Sequence, residues 1–254
     1  MKIIINADDF GLSEEVNSAI AEAFRRGYIT NTTVMANMPG FLEAVALSRE
    51  NGFFDKVGIH LNFLEGEPLT EEMKKEPLFT EGGKMTSFNL FHKESKKNYF
   101  LLPRHTKKAL RAEAEAQLAR YCEAGFPELH LDSHGHSHTI YSIYQSIAPM
   151  IRKHGFKTVR LSLNFFAGGR SFLVRVYKWL INRILRRGKR TTVYFTSADE
   201  FVRRRKAGPC PNGVYEIMVH PVWEEGKLKN MGGPDFEELL QYIEKEDLIS
   251  YLDI

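Results

Sequence analysis

The stretch Lys2-Ile3-Ile4-Ile5-Asn6-Ala7-Asp8-Asp9-Phe10-Gly11-Leu12-Ser13-Glu14-Glu15 decides the fold. Its first six residues read as a strand over 2–7 that runs into two adjacent carboxylates and a glycine. Ser13 with Glu14 and Glu15 then opens an amphipathic helix, placing acids in its positive first turn. A strand that feeds a helix so directly is the first half of a βα unit. The carboxyl end of such a strand is where α/β sheets and barrels gather reactive side chains, and Asp8 and Asp9 sit there.

The pattern repeats along the chain. Apolar, strand-like runs lie near 31–36, 57–62, 128–132, 157–162, 191–196 and 214–219. Helical periodicity intervenes over about Ser13–Arg26, from Phe41 to the Asn51-Gly52 turn, and over Thr106–Glu123, where Leu110, Ala114, Leu118 and Tyr121 repeat. Alternating strands and helices imply an α/β fold with a mostly parallel sheet. No Pro/Gly/Ser linker divides the 254 residues, so a single domain over 1–254 is expected. Between the third strand and the longest helix lies an inserted loop region near 65–104, too long for an ordinary βα connection. Its aromatics, Phe88, Phe91, Tyr99 and Phe100, either stack on sugar rings or pack into a lid of their own.

A hydrophobic content of 43% supports a substantial core. No apolar run approaches the roughly 18 residues needed to span a bilayer, and the chain begins at once with a charged residue and a strand, so a cytoplasmic protein is expected. Cys122 and Cys210 stand far apart, without metal-ligand or disulfide spacing. Charge is distributed unevenly. From Ser133 to Ala198 there is no Asp or Glu, while twelve Lys and Arg fall there; the rest of the chain is net −9 against an overall +3. Within this sector, 170–190 sets Leu173, Val176, Leu180 and Ile184 on one helical stripe and Arg175, Lys178, Arg183 and Arg186 on another. An outer helix with its apolar face in the core is the plain expectation. The functional alternative is a surface that holds the protein at the inner membrane face, near anionic lipid or a lipid-linked substrate. The same stripe would suit a homodimer. A nucleic-acid role ranks below these, because no binding motif accompanies the charge.

Two further strand ends carry imidazoles: Val57-Gly58-Ile59-His60-Leu61, and His130-Leu131-Asp132-Ser133-His134-Gly135-His136-Ser137-His138. One carboxylate and two imidazoles on rigid elements form an open divalent-metal site, and Asp9, His60 and His134 meet that description. Asp8 remains free to act as general base toward water on the ion, whose pKa falls to about 7 in favourable sites. Adjacent strand residues face opposite ways, so a turn at the strand's end must bring both carboxylates to one site. Residues 130, 132, 134, 136 and 138 would share one face if the strand continued, and the surplus would support the ligands from behind. A metal-free polar network is the alternative for the whole group. A nucleophilic serine lacks its G-x-S-x-G elbow, and H-E-x-x-H is absent.

Taken in order, Ile5-Asn6-Ala7-Asp8-Asp9-Phe10-Gly11-Leu12, Gly58-Ile59-His60-Leu61 and His130-Leu131-Asp132-Ser133-His134-Gly135-His136 resemble the YdjC family of carbohydrate deacetylases. That family includes chitooligosaccharide deacetylases and proteins tied to hopanoid biosynthesis. Gly27 to Thr33 and the helix from Glu115 to Pro127 are similar as well. The resemblance implies an irregular (β/α) barrel and a metal-dependent hydrolase that removes acetyl groups from N-acetylated sugars. It places the metal on Asp9, His60 and His134, makes Asp8 the base, and gives Arg160 an orienting or charge-pairing role toward Asp8. Tyr215-Glu216-Ile217-Met218-Val219-His220-Pro221 resembles the family's last strand, whose His, here His220, is the acid for the leaving amine; Val222 then stands where Gly is usual. The ion is Mg2+ by resemblance, whereas two imidazoles suit Zn2+ or another transition metal. Two other functions are compatible with the residues alone: a metal-dependent phosphoesterase, for which phosphate release and a second ion are expected, and a non-catalytic carbohydrate- or membrane-binding module.

Overall fold

The computed structural model describes residues 1–86, 96–127, 129–166, 168–169 and 171–254. In chain order the elements are β1 Lys2–Phe10, α1 Glu14–Arg25, β2 Asn31–Val34, α2 Phe41–Glu50, β3 Val57–Leu61, α3 Glu71–Lys74, β4 Thr80–Glu81, β5 Lys84–Met85, α4 Arg104–Glu123 and β6 His130–Ser133. They continue with α5 Tyr141–Lys153, β7 Thr158–Val159, α6 Phe172–Leu185, β8 Tyr194–Ser197, α7 Ala198–Ala207, β9 Val214–Val219, β10 Pro221–Glu224, β11 Lys227–Asn230 and α8 Phe236–Leu240.

Seven strands form one parallel sheet in the order β7-β6-β3-β2-β1-β9-β8. The sheet curls until its two edges meet at the single bridge Thr158↔Arg190, making an irregular α/β barrel with a seam between β7 and β8. Strand alternation separates two environments. Ile3, Ile5 and Ala7 of β1 face outward into the layer shared with Ile20 and Ala23 of α1 and Leu110, Ala114 and Leu118 of α4, all fully buried. At about 1.5–3 kcal/mol for each large apolar side chain removed from water, this outer layer carries the stability. The opposite faces of the same strands turn Asn6, Asp8, Thr33, His60, Asp132 and Arg160 toward one another, joined by hydrogen bonds across the sheet. The barrel interior is therefore polar. At its amino-terminal end it is stopped by Tyr251, which stacks on His130 with ring centroids 3.7 Å apart.

Two expectations are corrected. β6 does not continue past Ser133: Gly135 (φ +56°) and His136 (φ +55°) are left-handed, so His134–Thr139 coils into a tight turn and residues 130 to 138 do not share a face. A Cβ at Gly135 would lie 2.5 Å from Leu64 Cδ1, which explains the glycine. The apolar stripe of α6 is also not a core face throughout, since Leu173 and Leu180 are exposed and only Ile181 and Leu185 are fully covered. The insertion over 65–104 is partly regular. Glu113 of α4 accepts from the Leu69 and Thr70 amides, and Met73, Phe79 and Met85 are buried against the barrel's outer layer. Phe88 and Phe91 lie outside the described residues, Tyr99 packs on the core, and Phe100 is exposed.

Candidate metal centre

The two carboxylates of β1 reach one site through a bulge. Ala7 pairs with Thr32 and Phe10 with Val34, so Asp8 and Asp9 together stand opposite Thr33 alone. Asp9 absorbs the extra residue with φ +70°, a left-handed conformation that Asp tolerates better than most side chains. The turn expected beyond the strand's end is thus a distortion within it. Asp8 keeps the inward direction set by Asn6, and Asp9 swings toward the mouth.

Three imidazoles surround Asp9. His60 Nε2 lies 3.2 Å from Oδ1, His134 Nδ1 2.9 Å from the same oxygen, and His220 Nε2 3.8 Å from Oδ2. The His60 ring is clamped from behind, with Nδ1 2.6 Å from Asp132 Oδ1 and 3.2 Å from Thr33 Oγ1. Among the described residues its buried Nε2 makes no hydrogen bond of good geometry, and it lies beside Asp9 Oδ1. His134, a quarter exposed, stands at the mouth with Nε2 3.1 Å from Glu65 Oε2. Burial opposes charge on His60, yet Asp132 and then Asp9 outweigh it and raise the ring to about 10. His134, likewise opposed by burial, is raised to about 9 by Asp9 and Glu65. Burial would raise Asp9, but the neighbouring imidazoles of His134 and His60 hold it well below the usual carboxylate range.

Ligand atoms of Asp9, His60 and His134 all lie within 4.8 Å of one another. The donor set suits a divalent cation. A carboxylate on the far nitrogen of a metal-binding imidazole is the usual support of such a ligand, and Asp132 supplies it to His60. Two other acid/His groups of similar compactness, Asp8/His60/Asp132 and His130/Asp132/Glu216, lie deeper. They differ because Arg160 stands among their carboxylates. Its guanidinium donates to both oxygens of Asp8 at 2.6 Å, sits 2.8 Å from Asp132 Oδ2, and donates through Nε to Glu216 Oε1. A cation already fills that position.

His130, His136 and His138 pack around the site. His130 bonds Thr158 Oγ1 at 2.9 Å, and burial keeps it neutral, well below the ordinary histidine range. His138 joins Ser133 Oγ (2.6 Å) to the Arg160 carbonyl (3.0 Å), tying the ends of β6 and β7 together; burial holds it down to about 4. His136, pressed down to about 3 by burial and then by Arg160, sets its ring edge-on to Phe195. Val222 needs no glycine-like backbone, because it pairs with Lys229 in the β10–β11 hairpin. His220 is fixed there by Asn230, whose Oδ1 accepts from its amide at 2.9 Å.

The sequence named Asp8, Asp9, His60, His134, Arg160 and His220 as candidates, and the structure brings all six around one interior. It missed Glu65 and Glu216. Glu216 was accessible in principle, since residues 216, 218 and 220 share strand parity with His220. Glu65 lies in the insertion with no periodicity to announce it.

Residues 2–251 match the family model described as YdjC-like protein. A protein of Vibrio campbellii described as a carbohydrate deacetylase is 39% identical over 153 residues, which cover 60% of this chain and 55% of that protein. A protein of Halalkalibacterium halodurans with the same description is 37% identical over 238 residues, 90% of this chain and 88% of the relative. The chain spans about half the length of the Vibrio relative it matches. Among solved structures, a protein of Enterococcus faecalis V583 described as a candidate cellobiose-phosphate cleavage protein superposes with a TM-score of 0.72 over 99% of this chain and 98% of its own. At 23% identity that likeness speaks to the fold.

Proposed function

The chain belongs to the YdjC-like family, and from that membership and the Asp9 site we propose that it is a metal-dependent hydrolase that removes acetyl groups from N-acetylated carbohydrates. The observation that carries the reading is the His60 ring, clamped at Nδ1 by Asp132 and presenting a buried Nε2 to Asp9 Oδ1 at 3.2 Å. Asp9, His60 and His134 hold the cation. When bound, a divalent ion supplies polarisation of the acetyl carbonyl and a lowered pKa for water, to about 7 in favourable sites. Two imidazoles favour Zn2+ or a related transition metal over Mg2+.

The protein's own residues then divide the proton chemistry. Asp8, with both oxygens fixed by Arg160 and Asn6 at 2.9 Å, takes the proton of the attacking water. Arg160 holds that carboxylate in place rather than touching substrate. His220, 27% exposed on the other side of Asp9, delivers a proton to the amide nitrogen, without which the leaving group is too poor. A single domain over 1–254 belongs to this reading, supported by a family match that spans 2–251, as do a cytoplasmic location and a sugar rather than a nucleic-acid partner. The phosphoesterase reading needs a second ion, and Arg160 occupies the deeper carboxylate cluster where it would sit.

The test is acetate release from a panel of N-acetylated sugars, including chitobiose and a lipid-linked amino sugar, with added divalent metals. Acetate that disappears in Asp8→Asn and in His220→Gln is expected. Phosphate release from phosphate esters without acetate would transfer the site to the phosphoesterases. Sugar binding indifferent to both substitutions, with neither product, would make the chain a binding module.

A further inference from the structure

Helix α6 carries a surface that the described residues leave uncovered. Its carboxyl-terminal half is anchored: Ile181 and Leu185 are buried, and Asn182 exchanges hydrogen bonds of 2.7 and 3.0 Å with the Ser162 backbone. Its amino-terminal half is not. Phe172, Leu173 and Trp179 are 76%, 78% and 59% exposed, and Val176 and Leu180 are exposed with them. Phe100, edge-on to Tyr177 at 6.0 Å, and its neighbour Leu101 extend the same apolar surface. Contiguous apolar exposure of this kind marks an interaction site rather than ordinary surface.

The charges around it choose the partner. Arg175, Lys178, Arg183 and Arg186 line a groove of about 670 Å³ together with Phe172 and Trp179. No Asp or Glu occurs in the sequence from 133 to 198 to offset them. Apolar side chains projecting past a row of cations, with a groove wide enough for phosphate groups, have the chemistry of a helix lying in a lipid–water interface. A second copy fits less well, because a two-fold interface would set these guanidinium groups against their own counterparts. Among the described residues no helix is long and apolar enough to cross a membrane, so contact of this type would be peripheral.

The helix is also joined to the site. Tyr177 OH donates to the Thr139 carbonyl and accepts from the Tyr141 amide, both at 3.0 Å. Thr139 ends the turn that begins at His134. We propose that α6, with Phe100 and Leu101, docks the protein onto an anionic phospholipid bilayer, the apolar side chains entering the acyl boundary and the arginine-lined groove receiving lipid phosphates. Docking stands independently of the reaction assigned to Asp9.

The test uses the full chain and vesicles of phosphatidylcholine, alone or mixed with phosphatidylglycerol. Expected are sedimentation with the mixed vesicles, loss of it at high salt, and a blue shift of Trp179 emission read in a Trp223→Phe background. Leu173→Glu, at an exposed position that leaves the circular dichroism unchanged, should abolish binding. Arg175→Gln and Arg183→Gln should each weaken it roughly fivefold. Binding unchanged by Leu173→Glu, or no binding to mixed vesicles at low salt, overturns the proposal. So does a dimer in sedimentation velocity that Leu173→Glu dissolves while vesicles are ignored, which would give the surface to a second copy.

Discussion

Arg160 and Asp8 face each other as a fork, two parallel N–H···O bonds of 2.6 Å between a fully buried guanidinium and a carboxylate from the opposite side of the barrel. Because the same guanidinium also meets Asp132 and Glu216, one residue compensates three acids. Arg160→Met should cost about 3–5 kcal/mol in urea denaturation, the usual penalty for a stranded buried charge. Arg160→Lys keeps the charge without the fork. It should lose less stability but reduce turnover, with KM little changed. An Arg160→Met protein as stable as the parent would refute the compensation.

Asp132 acts on the site through His60. Asp132→Asn keeps the shape of the clamp but weakens its hold on Nδ1, and zinc affinity should fall 10- to 100-fold. Competition with a chelating indicator measures this directly. Asp9→Asn should remove tight binding altogether, and because Asn also tolerates a left-handed backbone, the bulge should survive.

On the proposed reading His220 is separable from metal binding. His220→Gln should retain the cation and lower kcat on an N-acetyl sugar by about 10²–10⁴-fold. On an aryl acetate, whose leaving phenolate needs no proton, the loss should be far smaller. Equal losses on both substrates would assign His220 a ligand or structural role instead.

Burial raises Glu216 from 4.5 to about 7, against the pull of Arg160. The native state therefore keeps a proton that the unfolded chain has released above about 4.5. Stability from this group is complete below that value and is lost as pH rises through about 7. Glu216→Gln should flatten this fall and exceed the parent by the order of 1–3 kcal/mol above neutrality. A pH series of urea midpoints reads the difference, and parallel curves would show that Glu216 is ionised throughout.

The fold was legible because alternation of strands and helices survives in the sequence wherever an outer apolar layer must be covered. Leu110, Ala114, Leu118 and Tyr121 are buried as their spacing requires. The candidate ligands were legible because strand ends collect such residues. What escaped were features made by departures from periodicity. The reversal after Ser133 rests on two left-handed residues, only one of them glycine, so His136 and His138 could not be placed by alternation. Leu173 and Leu180 show the converse, a regular stripe that stays exposed among the described residues. Glu216 has meaning through Arg160, and Asp132 through Arg160 and His60, partners that strand order brings near and sequence spacing does not.

At the bulge, β1 spends two residues over a rise that β2 crosses with Thr33 alone. The surplus residue is what lets one strand deliver two carboxylates to one place. Removing either Asp8 or Asp9 would leave a single residue opposite Thr33 and keep Ala7 against Thr32 and Phe10 against Val34, so Ile3, Ile5 and Asn6 would hold their faces. A deletion at Ile4 or Ile5 has no such slack and would turn the residues upstream of it to the wrong side. Scanning deletions along β1 should consequently be lethal to folding below the bulge and tolerated within it, where they cost one carboxylate.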